Sequence, residues 1–305
     1  MKSIKIDQDG YEEKEFVERF MQLQKDKGVV ESTLRQHLYA LRRLHKFPNK
    51  IPDITDVRRC LRNNISNTYY NKMLNTFRQF FKMLISLGQT LNDPSQNFAY
   101  KKNKIDVVNV PECNVRKLIA SMDKTTYAGY RDYVLTMLIL DSGVRPSEAI
   151  QIKQSDINDA LCEINLRSEM TKTRIARIIP VSKQTLLAID KLNSYKLSEW
   201  KQDLIFCSSE GKTLHATAFR SNLYKVCLRA GVRITPYNLR HIFATTYIRN
   251  GGDVFSLQRI LGHTTPRMTM VYVNLNTEDL HRKHEEVSVL DNFYNKTRLV
   301  SLSNG

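Results

Sequence analysis

Residues 235–245 read TPYNLRHIFAT, and they lead into a helix that the spacing of apolar residues predicts over Leu239–Asn250. Arg240 and His241 stand side by side near the start of that helix. A single arginine is most often an ordinary ion-pair partner, and a single histidine is often a hydrogen-bonded core residue. The two residues therefore point to a function only if matching residues occur elsewhere in the chain.

Three more short segments supply such residues. They are DSGVRPSEA at 141–149, TKTRIARIIP at 171–180 and LGHTT at 261–265. Arg145 follows a glycine turn directly after an apolar helix predicted over Tyr130–Ser142, so it can point out of the core. The second segment reads as a basic, hairpin-like strand. Tyr272 follows nine residues after the histidine of the third segment, His263.

Taken together and in chain order, the four segments resemble the tyrosine recombinases, also called phage-integrase-type site-specific recombinases. The family pattern has an arginine in a G-[LV]-R-x-S-E turn, a β-hairpin lysine, an H-x-x-R-H-x-F-A-T stretch, L-G-H and a tyrosine about nine residues later. The matching positions are Arg145, Lys172, Arg240, His263 and Tyr272. Arg177 and Pro180 also stand at the family's offsets after the lysine. The resemblance spans about 110–290 and extends more weakly over 11–88.

The resemblance implies covalent catalysis on DNA with no cofactor, metal or ATP. Arg145 and Arg240 would stabilise the negative charge that builds on a phosphodiester in the transition state, because each guanidinium offers paired donors and a permanent charge. His263 would add a further hydrogen bond to the phosphate. Lys172 would protonate the departing 5′ oxygen, and Tyr272 would attack phosphorus to form a 3′-phosphotyrosyl link.

One position departs from the pattern. Tyr237 stands where the family usually has the histidine of H-x-x-R. A phenol, with an ordinary pKa of about 10, is a poorer base near neutral pH than an imidazole with an ordinary pKa of about 6.5. Its hydroxyl can still donate a hydrogen bond to a phosphate oxygen, so we expect retained chemistry with less general-base assistance. His241 is a second-rank candidate that would orient its neighbours, and Glu148 is expected to be structural.

Charge and composition agree with a polyanionic partner. The chain has 305 residues, 41% hydrophobic and 26% charged, which is typical of a folded protein of about two domains. Lys and Arg outnumber Asp and Glu by 47 to 31, and the net charge is +16. The excess is +8 in residues 1–110 and +8 in the rest. Both halves are therefore expected to contact the polyanion.

Neither a membrane partner nor a metal site is expected. The longest apolar run, near Tyr133–Leu140, is far shorter than the roughly 18 residues of a span, and the N-terminus does not resemble a secretion signal. Five scattered cysteines include no C-x-x-C pair, which argues against disulfides and zinc. His281 and His284 lack an H-E-x-x-H arrangement. We expect a cytoplasmic protein with reduced thiols.

The fold class is predicted to be mainly α with a small β-sheet. We divide the chain into a helical core DNA-binding domain at 1–90, a linker at 91–110, a mixed α/β catalytic domain at 111–290 and a C-terminal tail at 291–305. Strands are predicted over Ile157–Ile164 and Thr173–Pro180. Further helices are predicted over Tyr11–Lys27, about 34–44, Thr55–Asn63, Thr68–Leu87, Val115–Met122, Gln184–Leu192, Thr217–Ala230, Val254–Leu261 and Asn276–Glu286.

The resemblance also implies how the protein meets DNA. The two domains would form a clamp around duplex DNA that carries inverted-repeat core sites. Basic residues assigned to backbone and groove contacts are Arg35, Arg42, Arg43, Lys72, Arg78 and Arg174. A homotetramer on two DNA sites would form by exchange of the C-terminal segment, which carries apolar residues in Val287–Leu290 and Phe293-Tyr294. The alternative is a tail folded onto its own domain, and accessory DNA-binding proteins stay open.

The implied function is site-specific recombination by strand cleavage and rejoining through a Holliday junction. Enzymes of integration, excision and resolution share the pattern. The short stretch before Tyr11 leaves no room for an additional arm-binding domain, which favours a simple two-domain recombinase of the Xer or Cre type. Two other functions stay open: a type IB topoisomerase, with similar chemistry on one duplex, and a catalytically inactive DNA-binding protein, which the tyrosine at 237 would explain.

Overall fold

A computed structural model describes residues 11–44, 51–62, 65–102, 110–200 and 203–273, together with His284, Ser288 and Leu290. The chain divides into two units, Met1–Ile105 and Asp106–Gly305, and each has its own hydrophobic core. The predicted fold class, mainly α-helical with one small sheet, is confirmed.

Four α-helices build most of the described part of the first unit: α1 (Tyr11–Asp26), α2 (Glu31–Leu44), α3 (Ile54–Arg62) and α4 (Asn67–Ser86). A 3₁₀ helix at Pro94–Asn97 follows α4. On α4, Phe77, Phe80 and Phe81 recur at helical spacing and are fully buried. They share one core with Phe20 of α1 and Leu41 of α2. The sequence predicts each of the four α-helices to within a few residues.

Residues 98–102 lie along α4 and belong to the first unit. The side chain of Asn71 donates to the Lys101 carbonyl oxygen at 2.8 Å and accepts from the Lys101 amide at 2.9 Å. Further along the same helix, Arg78 Nη2 donates to the carbonyl oxygen of Phe98 at 2.9 Å. Within the stretch 91–110, which is predicted as an interdomain linker, residues 98–102 are therefore fixed to α4.

A second set of helices forms most of the other unit: α5 (Glu112–Ala120), α6 (Tyr127–Ser142), α7 (Pro146–Ala149), α8 (Lys183–Ser194), α9 (Ala216–Ala230), α10 (Pro236–Arg249), α11 (Val254–Leu261) and α12 (Pro266–Met270). The apolar helix α6 packs against α8, α9 and α10 and buries Val134, Leu135, Leu138 and Ile139 completely. The sequence predicts neither α7 nor α12, because elements of four or five residues are too short to show a helical period.

The sheet is a three-stranded antiparallel meander of β1 (Ile157–Asn158), β2 (Glu163–Leu166) and β3 (Arg177–Pro180). Ile164 on the central strand pairs with Ile157 on one side and Ile179 on the other. Ile164 and Ile179 are fully buried, so one face of the sheet covers the core of the second unit.

Both strand predictions need correction. The single strand predicted over Ile157–Ile164 is a hairpin, because the chain reverses between β1 and β2, and Cys162 adopts a φ of +52° there. The strand predicted over Thr173–Pro180 begins only at Arg177. Before it, the Thr171 hydroxyl accepts a hydrogen bond from the Ile175 amide at 3.1 Å and closes a loop. Alternation of β-branched residues does not reveal where hydroxyls and turns interrupt a strand.

The predicted helix Asn276–Glu286 and the predicted tail at 291–305 lie outside the described residues, apart from His284. Among the residues described, no helix is both long enough and apolar enough to cross a membrane. The same residues contain no group of three or more side chains suited to holding a metal ion.

Candidate active site

The turn after α6 lies close to the helices α10 and α11. Gly143 has a φ of +64°, in the left-handed region that favours glycine. A Cβ atom at this position would lie 2.3 Å from Phe243 Cδ1 and 2.8 Å from Leu261 Cδ2. The glycine therefore allows a close approach of three segments, and Arg145 follows it at the N-terminus of α7.

Glu148, which is only 1% exposed, joins two arginines. Its Oε1 accepts a hydrogen bond from Arg145 Nη1 at 2.8 Å, and its Oε2 accepts one from Arg177 Nη2 at 2.6 Å. Burial alone would raise the pKa of Glu148, but hydrogen bonds and charges from Arg177 and Arg145 bring it below its ordinary value. The ionised carboxylate therefore fixes one arginine from the α6–α7 turn and one from β3.

Arg240 of α10 is the most deeply buried cation of the cluster, at 3% exposure. Its Nη1 donates to the Gly143 carbonyl oxygen at 2.6 Å, and its Nη2 donates to the Leu261 carbonyl oxygen at 2.8 Å. The same Nη2 lies 3.1 Å from His263 Nε2. Burial, and then the positive charge of Arg145, lower the pKa of Arg240 to about 10. It therefore stays cationic at neutral pH, aimed by the carbonyl ends of α6 and α11.

His263 follows Gly262, whose φ of +63° ends α11 in the left-handed conformation. Its Nδ1 lies 2.9 Å from Thr269 Oγ1 on α12. Burial, followed by the positive charge of Arg240 and of the other two arginines, lowers the pKa of His263 to about 4. The imidazole is therefore neutral at neutral pH and has a polar contact at each ring nitrogen.

Tyr272 lies just after α12 and is 7% exposed. Its ring is stacked on that of His263 at 6.4 Å between centroids, and the ring of His241 lies 5.3 Å away. Burial raises the pKa of Tyr272 to about 12, with Tyr237 adding to the increase and the positive charge of Arg240 opposing it. The phenol is therefore neutral at neutral pH and packed against two imidazoles.

Residues 109–279, more than half of the chain, match the Phage integrase family. The chain belongs to that family. It is 26% identical over 288 residues to tyrosine recombinase XerD of Staphylococcus haemolyticus, which covers 88% of this chain and 95% of the relative. It is also 26% identical over 219 residues to tyrosine recombinase XerD of Listeria monocytogenes, covering 68% and 73% of the two chains.

Solved structures of integrases share the fold. A lambda integrase dimer bound to a core site has a TM-score of 0.70 at 17% identity, over 84% of this chain and 96% of that one. The Tn1549 transposon integrase in complex with a circular intermediate DNA has a TM-score of 0.72 at 16% identity, over 89% and 99%. The chain thus shares the fold of these two integrases over 84% and 89% of its length.

The two remaining positions of the phage integrase pattern in α10 are His241 and Tyr237. His241 is buried, and its Nδ1 has no hydrogen-bond partner among the residues described. Burial and the charge of Arg240 lower the pKa of His241. The ring of Tyr237 meets it edge-on at 4.2 Å, and Tyr237 itself is 64% exposed. Tyr237, His241 and Tyr272 therefore form an aromatic column that starts in solvent and ends in the buried cluster.

Lys172, the lysine of the phage integrase pattern, lies in the loop before β3 and is exposed. Its neighbour Thr173 lines a groove of about 570 Å³, which Arg177, Gly262 and His263 also line. Within the described parts of the chain, no hydrogen bond or ion pair connects Lys172 to the other pattern residues. Its ammonium group thus stays exposed beside a groove that reaches His263.

Four of the predicted DNA contacts are exposed at the surface. Arg42 and Lys72 are exposed on α2 and α4, and Arg35 of α2 is exposed while paired with Glu31 at 3.2 Å. Arg174 is exposed in the loop before β3, with a φ of +57°. These side chains are accessible to a polyanion from both units.

The other two predicted DNA contacts are held by the first unit itself. Arg78 donates to the Phe98 carbonyl oxygen, and its guanidinium lies 4.5 Å from the centre of the Tyr100 ring. Arg43 is half-buried, and its charge opposes the burial that raises the pKa of Tyr69. Both arginines thus interact with other residues of the first unit, which the sequence analysis does not predict.

Sequence reasoning missed the groups that hold the active-site candidates in place. The carbonyl oxygens of Gly143 and Leu261 orient Arg240, and backbone atoms leave no trace in a sequence. Thr269, which contacts His263, left a weak signal. It stands three residues before Tyr272, a spacing that brings two residues to one side of a helical turn.

Proposed function

We propose that this protein is a tyrosine-type site-specific DNA recombinase that cleaves and rejoins DNA through a 3′-phosphotyrosyl link to Tyr272. The observation that carries the proposal is one cluster in the second unit, which joins the half-buried Arg145 and His263 to the buried Arg240 and Tyr272. The XerD relatives, which are named tyrosine recombinases, support it.

In the proposed reaction the two active-site arginines bind the scissile phosphate. Arg145 and Arg240 donate hydrogen bonds to its nonbridging oxygens and stabilise the charge that builds there in the transition state. His263 donates one further hydrogen bond. Glu148 holds Arg145 in position and offsets the repulsion between like charges, which keeps the cluster assembled before DNA arrives.

Tyr272 then attacks phosphorus. The bond between its phenolic oxygen and phosphorus forms while the bond from phosphorus to the 5′ oxygen breaks, and Lys172 donates a proton to that departing oxygen. The phenol releases its own proton to water in this step, and the positive charges of Arg240 and Arg145 favour that release because they oppose the increase in its pKa that burial causes. The covalent link conserves the energy of the phosphodiester, so the reverse attack by a 5′ hydroxyl rejoins DNA without ATP.

Recombination needs four such active sites. We propose that the first unit is the core-binding domain, that both units clamp duplex DNA at inverted-repeat core sites, and that a homotetramer joins two sites through a Holliday junction. A lambda integrase tetramer bound to a Holliday junction has the same fold, with a TM-score of 0.70 at 15% identity. Exchange of the apolar C-terminal segment would link the protomers. We also propose that the protein acts in the cytoplasm, a location that suits a reaction on DNA.

Covalent capture tests this proposal. The protein is incubated with sheared DNA from its own genetic neighbourhood and denatured in detergent, and the DNA that stays attached is sequenced. We expect a discrete inverted-repeat site, which Tyr272→Phe loses while it keeps its DNA affinity. Tyr224→Phe is the matched control, because Tyr224 is an exposed tyrosine of the same unit on α9. It should form the adduct at the normal rate.

The same experiment separates the two alternatives. Scattered adducts, together with relaxation of a supercoiled plasmid that lacks the site, would favour a type IB topoisomerase. Specific binding with no adduct would favour an inactive DNA-binding protein. An adduct that survives Tyr272→Phe would contradict the assignment of the nucleophile.

A further inference from the structure

The ring of His263 makes a polar contact on each side. Its Nε2 lies 3.1 Å from Arg240 Nη2, and its Nδ1 lies 2.9 Å from Thr269 Oγ1. Thr269 is fully buried at 0% exposure. The hydroxyl therefore faces the imidazole in a site where an unpaired polar group would be unfavourable.

The chemistry of the two partners places the proton on the ring. A guanidinium only donates hydrogen bonds, so Nε2 must present its lone pair to Arg240. The positive charges that face the ring belong to Arg240, Arg145 and Arg177, the titratable ring of His241 lies nearby, and burial together with these charges keeps the imidazole neutral. A neutral imidazole with a free lone pair on Nε2 carries its hydrogen on Nδ1. Nδ1 therefore donates to the Thr269 hydroxyl oxygen.

Phosphate binding requires the opposite arrangement. A phosphate oxygen is an acceptor, so His263 can hydrogen-bond to it only when Nε2 carries a hydrogen. For a neutral ring this means the other tautomer, with the lone pair on Nδ1. The exchange is balanced, because Nδ1 releases one proton to water and Nε2 takes one from water. A hydroxyl suits both states, since it accepts from Nδ1–H in one and donates to the Nδ1 lone pair in the other.

We propose that Thr269 is a positioning residue that holds the His263 ring and pairs with Nδ1 in both neutral tautomers, so that His263 switches from acceptor for Arg240 to donor for phosphate. This inference rests on the proposed recombinase function and deepens it. Thr269 itself touches neither phosphate nor the attacking oxygen in this scheme. Its effect reaches the reaction only through the proton on His263.

The free protein gives the first test, which needs no activity. The full chain is labelled with ¹⁵N-histidine, and the signals of its seven histidines are compared with those of His263→Gln to identify His263. We expect a neutral ring with the hydrogen on Nδ1 at pH 7, and loss of that tautomer preference in Thr269→Val. A ring protonated on Nε2, or one whose nitrogen shifts Thr269→Val leaves unchanged, would overturn the proposal.

Single-turnover cleavage gives the second test. Thr269→Val fills the same volume without a hydroxyl, whereas Thr269→Ser keeps the hydroxyl. We expect Thr269→Val to lower the cleavage rate about tenfold or more with unchanged DNA affinity, as for a buried group left unpaired, and Thr269→Ser to restore most of it. Thr136→Val is the matched control, since Thr136 is equally buried and its hydroxyl donates to the Asp132 carbonyl oxygen away from this site.

The outcomes separate the two proposals. Equal rates for Thr269→Val and Thr136→Val, or failure of Thr269→Ser to recover the rate, would make Thr269 merely structural and overturn the inference. If the wild-type protein forms no adduct while the NMR spectra show the Nδ1 tautomer and its loss in Thr269→Val, the recombinase function fails and the contact between Thr269 and His263 stands.

Discussion

Tyr237 is the residue at which this chain departs from the pattern of its family, and its exposed ring covers His241. An imidazole there would accept a proton near neutral pH, whereas a phenol ordinarily titrates near pH 10. We expect Tyr237→His to preserve the cleavage rate at pH 7 or raise it by as much as about tenfold, with the half-maximal rate at lower pH. Single-turnover cleavage between pH 6 and 9 measures this.

Tyr237→Phe is the control for that substitution, because it keeps the ring contact with His241 and removes the hydroxyl. It should cleave more slowly than the wild type if the hydroxyl binds phosphate. A large loss of rate in Tyr237→His would mean that the phenol, and not a base, is what this site requires.

Glu148 contributes stability that depends on pH. Its pKa is lowered in the fold, so its contribution is fully present above the ordinary carboxyl pKa and is lost as the pH falls through the lower, folded value. Glu148→Gln leaves Arg145 and Arg177 without a buried counter-charge. We expect a loss of about 3 kcal/mol in the free energy of unfolding at pH 7, and a smaller loss as the pH falls below about 4.

Urea denaturation at several pH values checks this expectation. The control is Glu112→Gln, which removes an exposed ion pair with Arg116 and should change the free energy of unfolding by less than about 0.5 kcal/mol. A loss in Glu148→Gln that stays constant from pH 7 to pH 3 would count against an ionised carboxylate.

At the scale of elements, the turn between α6 and α7 is where the fold and the site depend on each other. Gly143→Ala adds a Cβ that would meet Phe243 and Leu261 in a left-handed turn whose carbonyl oxygen aims Arg240. We expect a loss of about 2–4 kcal/mol in the free energy of unfolding and a marked loss of cleavage. Thermal denaturation and covalent capture measure the two effects.

Gly231→Ala is the matched control, because Gly231 has the same left-handed backbone conformation as Gly143. Gly231 also ends a helix with a φ of +64°, but a Cβ there would have no neighbour within 4 Å. Only the backbone strain of about 1 kcal/mol should appear, with normal cleavage. Equal losses in the two variants would mean that the close packing of Gly143 has no energetic consequence.

The helices and strands differ in how well the sequence predicts them. Long helices such as α4 and α6 are predictable from the sequence. Phe77, Phe80 and Phe81 of α4 recur at helical spacing on one buried face, and α6 is a nearly continuous apolar run of helical length. The hairpin between β1 and β2 was missed because the alternation of β-branched residues hid the turn signal of Asn158 and Asp159. In the turn, the Leu161 amide donates to Asn158 Oδ1 at 3.2 Å. The motif residues were found, but Thr269 and the carbonyl oxygens that orient Arg240 are contributions of tertiary packing.

At the scale of the whole molecule, positive charge governs the encounter with DNA. The net charge of +16 is divided equally between residues 1–110 and the rest of the chain. Both parts of the chain are therefore expected to attract DNA. Each phosphate neutralised by a lysine or arginine releases counterions and makes the affinity fall more steeply with salt. The slope of log affinity against log salt concentration therefore measures how many lysine and arginine side chains contact DNA phosphates.

The exposure of individual basic residues predicts which of them contribute to that count. Arg42→Gln and Lys72→Gln in the first unit, and Arg174→Gln in the second, should each reduce the slope of log affinity against log salt by about 0.9.

Arg78→Gln should leave the slope unchanged and lower the stability of the first unit, because Arg78 is engaged by Phe98 and Tyr100. Lys212→Gln, which removes an exposed charge paired with Glu210, controls for net charge alone. If Lys212→Gln flattens the slope as much as Arg42→Gln does, the charge acts as a diffuse field, and the assignment of backbone contacts to particular exposed residues fails.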